Sequence, residues 1–397
     1  MKRKLTYLIL AAASLLMTAC HIYDDYMYGP DGEQKVKVSF VLALGSSDEP
    51  FTRAETWSPD DPTDDDNNIG YDPKAIGDSY DNMIDPGTLQ VVFYENNDEG
   101  RFVGSVTIRD YYPVDEEGNR IDVDADGFMP EGKVSNLYHF DGTLMADEGV
   151  LVAGTPYKIA VYANMPQSQR KLVTAGGSLS ELSDNLKFTR FAYENVEKDT
   201  EFIPMWGVKA APLDLVKDAT QDLGTIYVLR AMAKVEVKLS DALSAVGYTL
   251  TSMTMNNLNA CGYCLPDGAT NLTQTEALSL ETCFRPDGTA TVGKHTVLGD
   301  GKSSWVMYVP EYKNVGADAP AVINVGLMHN GVQMELDPET GLIQFKGYDA
   351  GKPTGAAYNI VRNHNYVFEI IGIKEESLVF RVTIDDLELG GRYGFEY

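Results

Sequence analysis

The residue types that carry most protein chemistry are scarce in this chain, which has four Cys and five His in 397 residues. Cys261-Gly262-Tyr263-Cys264, with Cys283 and His295, could offer four ligands to a tetrahedral zinc ion, but one isolated His lacks the paired spacing of a zinc site, and zinc is not expected. In an oxidising compartment the same cysteines point to a disulfide between Cys283 and one member of the CxxC pair, with one thiol left over. Asp122, Asp124 and Asp126 alternate ahead of Gly127, as carboxylates do in the first half of a calcium loop. The second half departs from that pattern, because Lys133 stands where a bidentate Glu is needed and Glu131 comes two residues early. An acidic hairpin loop is the expected reading, with calcium the one cofactor the sequence leaves open.

Catalytic patterns are equally thin. Gly77-Asp78-Ser79-Tyr80 resembles the nucleophile block of one esterase class, whose partner His follows an Asp by three positions, and none of the five His has that Asp. There is no GxSxG, HExxH or glycine-rich phosphate loop. A glycosidase needs two carboxylates, and nothing singles out a pair among 59 Asp and Glu. The chain therefore reads as non-enzymatic. Its 32 Lys and Arg leave a formal charge of -27, which repels nucleic acid and the anionic face of a bilayer. With 44% hydrophobic residues and 23 Tyr the chain is expected to fold, and its length suits two domains or three small ones.

The N-terminus opens with Lys2, Arg3 and Lys4 and continues in an apolar run from Leu5 to Met17, too short to span a bilayer and suited to an export signal. Leu16-Met17-Thr18-Ala19-Cys20 resembles the lipobox at which a bacterial signal peptidase cuts and the Cys is acylated, here with Met17 in place of the usual Leu. Residues 1–20 are thus expected to be a lipoprotein signal peptide and Cys20 the lipidated residue, anchored in the outer membrane by several acyl chains. Ordinary cleavage leaving a free Cys20 is the alternative. Asp24 and Asp25 resemble the acidic tag that sends some lipoproteins to the cell surface.

The remaining pattern is mostly of period two. Val36, Val38, Phe40, Leu42 and Leu44 share one face of the cleanest strand. Similar segments recur at 89–94, 102–108, 157–163, 225–239, 304–309, 321–328, 358–373 and 378–384, punctuated by Gly, Pro, Asn and Asp. The best helix opens at Ser178 with Glu181 as a capping box and covers 179–186. Residues 58–68 hold five Asp between prolines and read as a solvated loop. The class is mainly β, in sandwiches. Polar text with Pro212 and Gly224 places the domain boundary, giving an N-terminal extension (21–53) with its strand at 36–44, a first domain (54–215) and a second (216–397).

Five short stretches follow in order: Tyr157-Lys158-Ile159-Ala160-Val161-Tyr162-Ala163-Asn164-Met165-Pro166, Ile203-Pro204-Met205-Trp206-Gly207, Leu229-Arg230-Ala231-Met232-Ala233-Lys234-Val235-Glu236-Val237, Tyr308-Val309-Pro310-Glu311-Tyr312 and Arg362-Asn363-His364-Asn365-Tyr366. Together, behind the lipobox, they resemble the fimbrillin superfamily of type V pilus lipoproteins, which includes stalk, anchor and tip subunits. The pieces are expected to be strands, turns and domain contacts, with His364 structural and the stems of Arg230 and Lys234 covering apolar surface. The resemblance implies two tandem transthyretin-like Greek-key β-sandwich domains, no catalytic role, and polymerisation by donor-strand exchange.

On that resemblance, Phe51-Thr52-Arg53-Ala54 looks like the site at which an Arg-specific protease trims stalk subunits, between Arg53 and Ala54. Cleavage would free the Val36 to Leu44 strand, and a neighbouring subunit's strand would replace it, since an apolar groove with open edges is costly in water. Tyr393, Phe395 and Tyr397, beyond Gly390-Gly391, alternate as a short donor strand could, or as the tail of the last strand. The partners so implied are other fimbrial subunits, the protease, the outer membrane through its lipid, and a host protein or glycan. Stalk, tip and anchor remain open. The rival function is a surface glycan-binding lipoprotein stacking sugars on Tyr26, Tyr28, Tyr111 or Tyr112. Asn271-Leu272-Thr273 is a glycosylation sequon by pattern only.

Overall fold

The computed structural model describes residues 32–44, 69–70, 84–115, 118–123, 137–188, 202–216, 219–274, 284–286, 292–302, 304–338, 341–349, 352–374 and 377–386. The chain is mainly β. Its strands are, in order, β1 (Gln34–Leu44), β2 (Ile69–Gly70), β3 (Gln90–Glu95), β4 (Phe102–Val114), β5 (Leu137–Ala146), β6 (Pro156–Ala163), β7 (Lys187–Phe188), β8 (Met205–Pro212) and β9 (Thr220–Arg230). They continue through β10 (Ala233–Leu239), β11 (Tyr248–Asn259), β12 (Gly262–Tyr263), β13 (Val292–Lys302), β14 (Ser304–Val309), β15 (Val322–His329) and β16 (Val332–Gln333). The last are β17 (Leu342–Gln344), β18 (Lys346–Asp349), β19 (Lys352–Ala357), β20 (His364–Lys374) and β21 (Ser377–Asp386). Three short helices complete the description: α1 (Arg170–Thr174), α2 (Leu179–Asn185) and α3 (Asp241–Ala245).

The first domain is a barrel closed in the order β1-β5-β4-β3-β6-β8-β9, with β9 returning to β1. A sandwich of two separate sheets was the expectation; here one sheet closes on itself and removes its own edges. Its interior is filled by Phe40, Phe93 and Phe140 among others, while Tyr94, Tyr162 and Trp206 are buried on the alternate, outer face of β3, β6 and β8; all six are 0% or 1% exposed. Tyr94 and Tyr162 bury their hydroxyls on that face and satisfy them on each other at 3.0 Å.

The second domain has two sheets, β14-β10-β20-β21-β2 and β13-β11-β15-β16 with β17 on β15. A separate core lies between them, in which Phe345 meets Tyr366 and Phe368 edge-on at 5.6 and 5.3 Å. Asn330-Gly331, with φ of 49° and 81°, turns the β15–β16 hairpin as only residues tolerant of positive φ can.

The chain changes domain at Ala231-Met232 rather than at the expected 215/216. The Pro212 to Gly224 text connects β8 to β9 inside the barrel, and β9 pairs with β1 and β8. The strand expected over 225–239 is accordingly two strands in two domains. Likewise β1 is no extension outside the first domain but a wall of it. The helix at Ser178 forms as the sequence suggests: Ser178 Oγ accepts the Glu181 amide at 3.3 Å and Glu181 Oε2 accepts the Ser178 amide at 3.0 Å. The Asp-rich loop at 58–68 lies outside the described residues.

Candidate strand-exchange site

In β1 the alternation of Gln-Lys-Val-Lys-Val-Ser-Phe-Val-Leu sends Val36, Val38, Phe40 and Leu42 inward, where they are 3%, 0%, 1% and 0% exposed. Lys35 and Lys37 point to solvent. Leu44 ends the strand opposite Val228, and its side chain lies outside what is described. The Phe40 ring stacks on Phe140 of β5 at 5.1 Å and 9°. At 1.5–3 kcal/mol per fully buried apolar side chain, the four described residues contribute about 6–12 kcal/mol, an upper bound because the unfolded chain is itself partly collapsed.

Both edges of β1 are paired, antiparallel to β5 from Gln34↔Ala146 to Ala43↔Leu137 and parallel to β9 from Lys37↔Thr220 to Leu44↔Val228. The β9 register shifts between Ser39 and Val41, where Gly224 at φ 66° turns its amide onto Asp222 Oδ1 at 2.8 Å. On its other side β9 is in register with β8 at Leu229 and Arg230, and Gly207 of β8 lies against the Tyr227 carbonyl. The longer of the two β9 ladders is the one with β1. At the start of β1, Gln34 is buried and holds Leu151 at both ends, accepting its amide at 2.7 Å and donating to its carbonyl at 3.3 Å. At the far end Tyr138 lies opposite Leu42; burial pushes its phenol well above the usual tyrosine range, and the Arg230 guanidinium opposes part of that rise.

The five stretches that carried the family resemblance converge on the end of the barrel and the junction. Asn164 donates to the Ile203 carbonyl at 2.9 Å, and Tyr162 pairs with Trp206. Met205 pairs with Arg230, whose Nη1 donates to Asn363 Oδ1 at 2.9 Å. Arg362 reaches Glu311 at 2.7 Å, and Lys234 pairs with Tyr308 on one side and Asn365 on the other. Arg230 is thus fully buried and hydrogen-bonded, a correction to its expected place along an apolar surface; Lys234, also buried, lies 6.0 Å over the Tyr308 ring. His364 is structural, its Nδ1 2.8 Å from the Arg362 carbonyl oxygen.

Several expected site residues lie outside the described ones: Cys20, Arg53, Ala54, Asp124, Asp126, Cys283, Tyr26, Tyr28, Tyr393, Phe395 and Tyr397. Asp122 is exposed, and no three His, Cys, Asp or Glu side chains among the described residues come together as metal ligands. Cys264 is fully buried and desolvation pushes its thiol up to about 12, while Cys261 is half-buried. Tyr111 does not face solvent as a sugar platform would: its hydroxyl donates to the Ile84 carbonyl at 3.1 Å and its ring packs on Tyr138 and Phe140. Tyr112 carries Arg120 4.8 Å over its ring and stacks with His139. The segment expected at 378–384 runs on to Asp385 and Asp386, which are paired within β21 opposite Asn365 and His364. Gln34, Tyr138 and Phe140 were missed as parts of the site, since β5 carries His139 and Asp141 between its inward residues and a Gly, Gly142, at an inward position, so no clean apolar alternation announces it.

No protein-family model and no curated protein matches the chain. Among solved structures it is similar to the tip fimbrial protein Mfa3 from Porphyromonas gingivalis, at 13% identity and a TM-score of 0.44 over 88% of this chain and 99% of that one. It is also similar to a fimbrial assembly protein from Parabacteroides distasonis, at 12% identity and a TM-score of 0.40 over 86% of this chain and 92% of that one.

Proposed function

We propose that the protein is a non-enzymatic structural or adhesive subunit of a type V fimbria, exported as a lipoprotein through Cys20 and joined to its neighbours by exchange of β1. The observation that carries this reading is the position of β1. It is the first strand of the barrel, it contributes a buried apolar stripe and two paired edges, and Arg53 follows nine residues after its end. Cleavage after Arg53 severs the covalent tie between β1 and the rest of the domain. The strand can then leave, and the groove between β5 and β9 accepts another strand with the same alternation and register. A joint of this kind repeats head to tail and so grows a filament. Tyr393, Phe395 and Tyr397 are the donor side chains in this scheme, and each domain corresponds to a transthyretin-like unit of the family.

The test is mass spectrometry of the mature N-terminus in sheared surface filaments and in whole membranes. A chain beginning at Ala54 in filaments is expected, and Arg53→Ala should retain β1 and stay out of them. A chain beginning at acylated Cys20, confined to membranes, would overturn exchange of β1 and leave an uncleaved anchor.

A further inference from the structure

The connection between β11 and β13 belongs to the second domain but does not stay there. After Asn259 it crosses to the first domain, where β12 pairs with β7 through Gly262↔Phe188 and Tyr263↔Lys187. The Cys264 amide donates to the Leu186 carbonyl at 2.9 Å, Lys158 Nζ donates to the Thr270 carbonyl, and the Ala210 amide donates to the Thr273 carbonyl at 2.6 Å. Gln274 then bridges to Lys209. Cys264, Leu265 and Ala269, all 0% or 1% exposed, join the buried cluster of the first domain and not that of their own domain. The second domain thus covers part of the first domain's outer face.

One arginine holds this crossing segment. Arg362, 1% exposed, donates to three successive carbonyls, from Nη1 to Cys264 at 3.2 Å and from Nη2 to Tyr263 and Leu265 at 3.2 and 3.3 Å. Its charge is met by Glu311, 3% exposed, at 2.7 Å. Glu311 Oε1 also accepts the Arg362 amide and Oε2 the Arg285 amide, each at 3.2 Å. Arg285 continues to the first domain, donating to the Ser183 carbonyl at 2.8 Å and to Asp184 at 3.0 Å while its guanidinium lies 3.6 Å over the Tyr263 ring. A buried ion pair of this kind fixes one arrangement more than it adds stability. Gly262 is keyed as well: a Cβ there would stand 2.4 Å from Phe188 Cζ.

The crossing segment touches β6, β7 and β8, whereas β1 touches β5 and β9. The two sets share no strand. We propose that residues 260–274 are a strap by which the second domain holds the β6–β8 wall of the barrel, so that the remaining six strands keep their arrangement when β1 is absent. The strap's hold on the barrel wall stands on these contacts alone; its part during exchange rests on the proposed function.

Hydrogen exchange read by mass spectrometry on the uncleaved full chain tests the strap whether or not β1 is ever exchanged. Arg362→Met leaves Glu311 buried without its partner and risks unfolding, so Gly262→Ala serves as a second route, prying β12 from β7 with the ion pair intact. Both variants are expected to speed exchange at least tenfold in 262–274, β6 and β8, and to leave β11 and β15 unchanged. Acceleration spread evenly over both domains, acceleration confined to the second domain, or unchanged rates in β6 and β8 would each overturn the proposal.

Discussion

Truncation of Phe40 tests how β1 is seated. The side chain is 1% exposed, and its ring stacks on Phe140 at 5.1 Å, so Phe40→Ala removes a buried ring and an aromatic pair together. Burial of this kind costs about 3–5 kcal/mol on truncation, of which the pair supplies about 0.5–1.5 kcal/mol. That is a large share of the 6–12 kcal/mol estimated for the described stripe. With a urea m-value of about 1–3 kcal/mol/M the unfolding midpoint should fall by roughly 1–5 M. Lys37→Ala, on the solvent face of the same strand, should stay within about 0.5 kcal/mol of wild type. Local exchange gives the sharper reading. Thr225 to Val228 of β9 pair with β1, so in Phe40→Ala they should lose protection ahead of β10. A loss below about 1 kcal/mol, or β9 protection that follows β10 throughout, would show that β1 is not what holds this wall, and the reasoning would fail.

Three other outcomes can be measured. Burial raises the phenols of Tyr94, Tyr111, Tyr138 and Tyr162 above their ordinary range and the Cys264 thiol to about 12, so the folded chain holds these protons more tightly than the unfolded one. Their contribution is therefore complete below the unfolded values, about 8.5 for Cys and about 10 for Tyr, and is lost as pH climbs through them. Tyrosinate absorbance followed with circular dichroism should show these four phenols ionising only as the fold is lost; full titration of every Tyr with the spectrum intact would contradict this. In Gly207→Ala the new Cβ would stand 2.1 Å from the Tyr227 carbonyl oxygen, backbone against backbone, so β8 must part from β9 at a cost of about 1–3 kcal/mol by chemical denaturation. Ser178→Ala removes the cap of α2 and should cost about 1 kcal/mol, a quantity the same titration resolves.

Legibility in the sequence followed how local each feature is. β1 was plain because four inward residues alternate without interruption, and the Ser178 cap because both its partners lie within three positions. β11 was missed because Thr, Ser and Asn occupy its outer positions and a register shift between Leu250 and Ser252 breaks the alternation of Leu250, Met253 and Met255. Barrel closure had no local sign at all, since it rests on β1 meeting β9 in parallel across most of a domain. The boundary was misplaced for the same reason: Pro212 and Gly224 mark a connection, and composition does not say whether the next strand returns to the same sheet. The burial of Arg230 depends on Asn363, 133 positions away, which no spacing argument reaches. What the family resemblance did supply was the set of stretches that meet at the junction, although not the reason they meet.

That reason is mechanical. A barrel that gives up one of its seven strands opens two edges at once, and β9 would lose the longer of its two ladders. Its C-terminal end is nevertheless fixed, because Arg230 is tied to Asn363 and the Asn363 amide donates to the Met232 carbonyl at 2.8 Å. On the opposite wall the strap fixes β6 and β8 through contacts that β1 never touches. A chain carrying a formal charge of -27 gains nothing from electrostatic attraction to its own copies, so a joint between such chains has to rest on apolar burial and ladder hydrogen bonds. Those terms are short-ranged and depend on register, which requires the groove to keep its shape while it is empty. On the proposed exchange, the buried Arg362–Glu311 pair sits where that requirement would be met: it holds the strap, whereas β1 pairs with β5 and β9, so the wall it steadies would be there for an incoming strand to fit against.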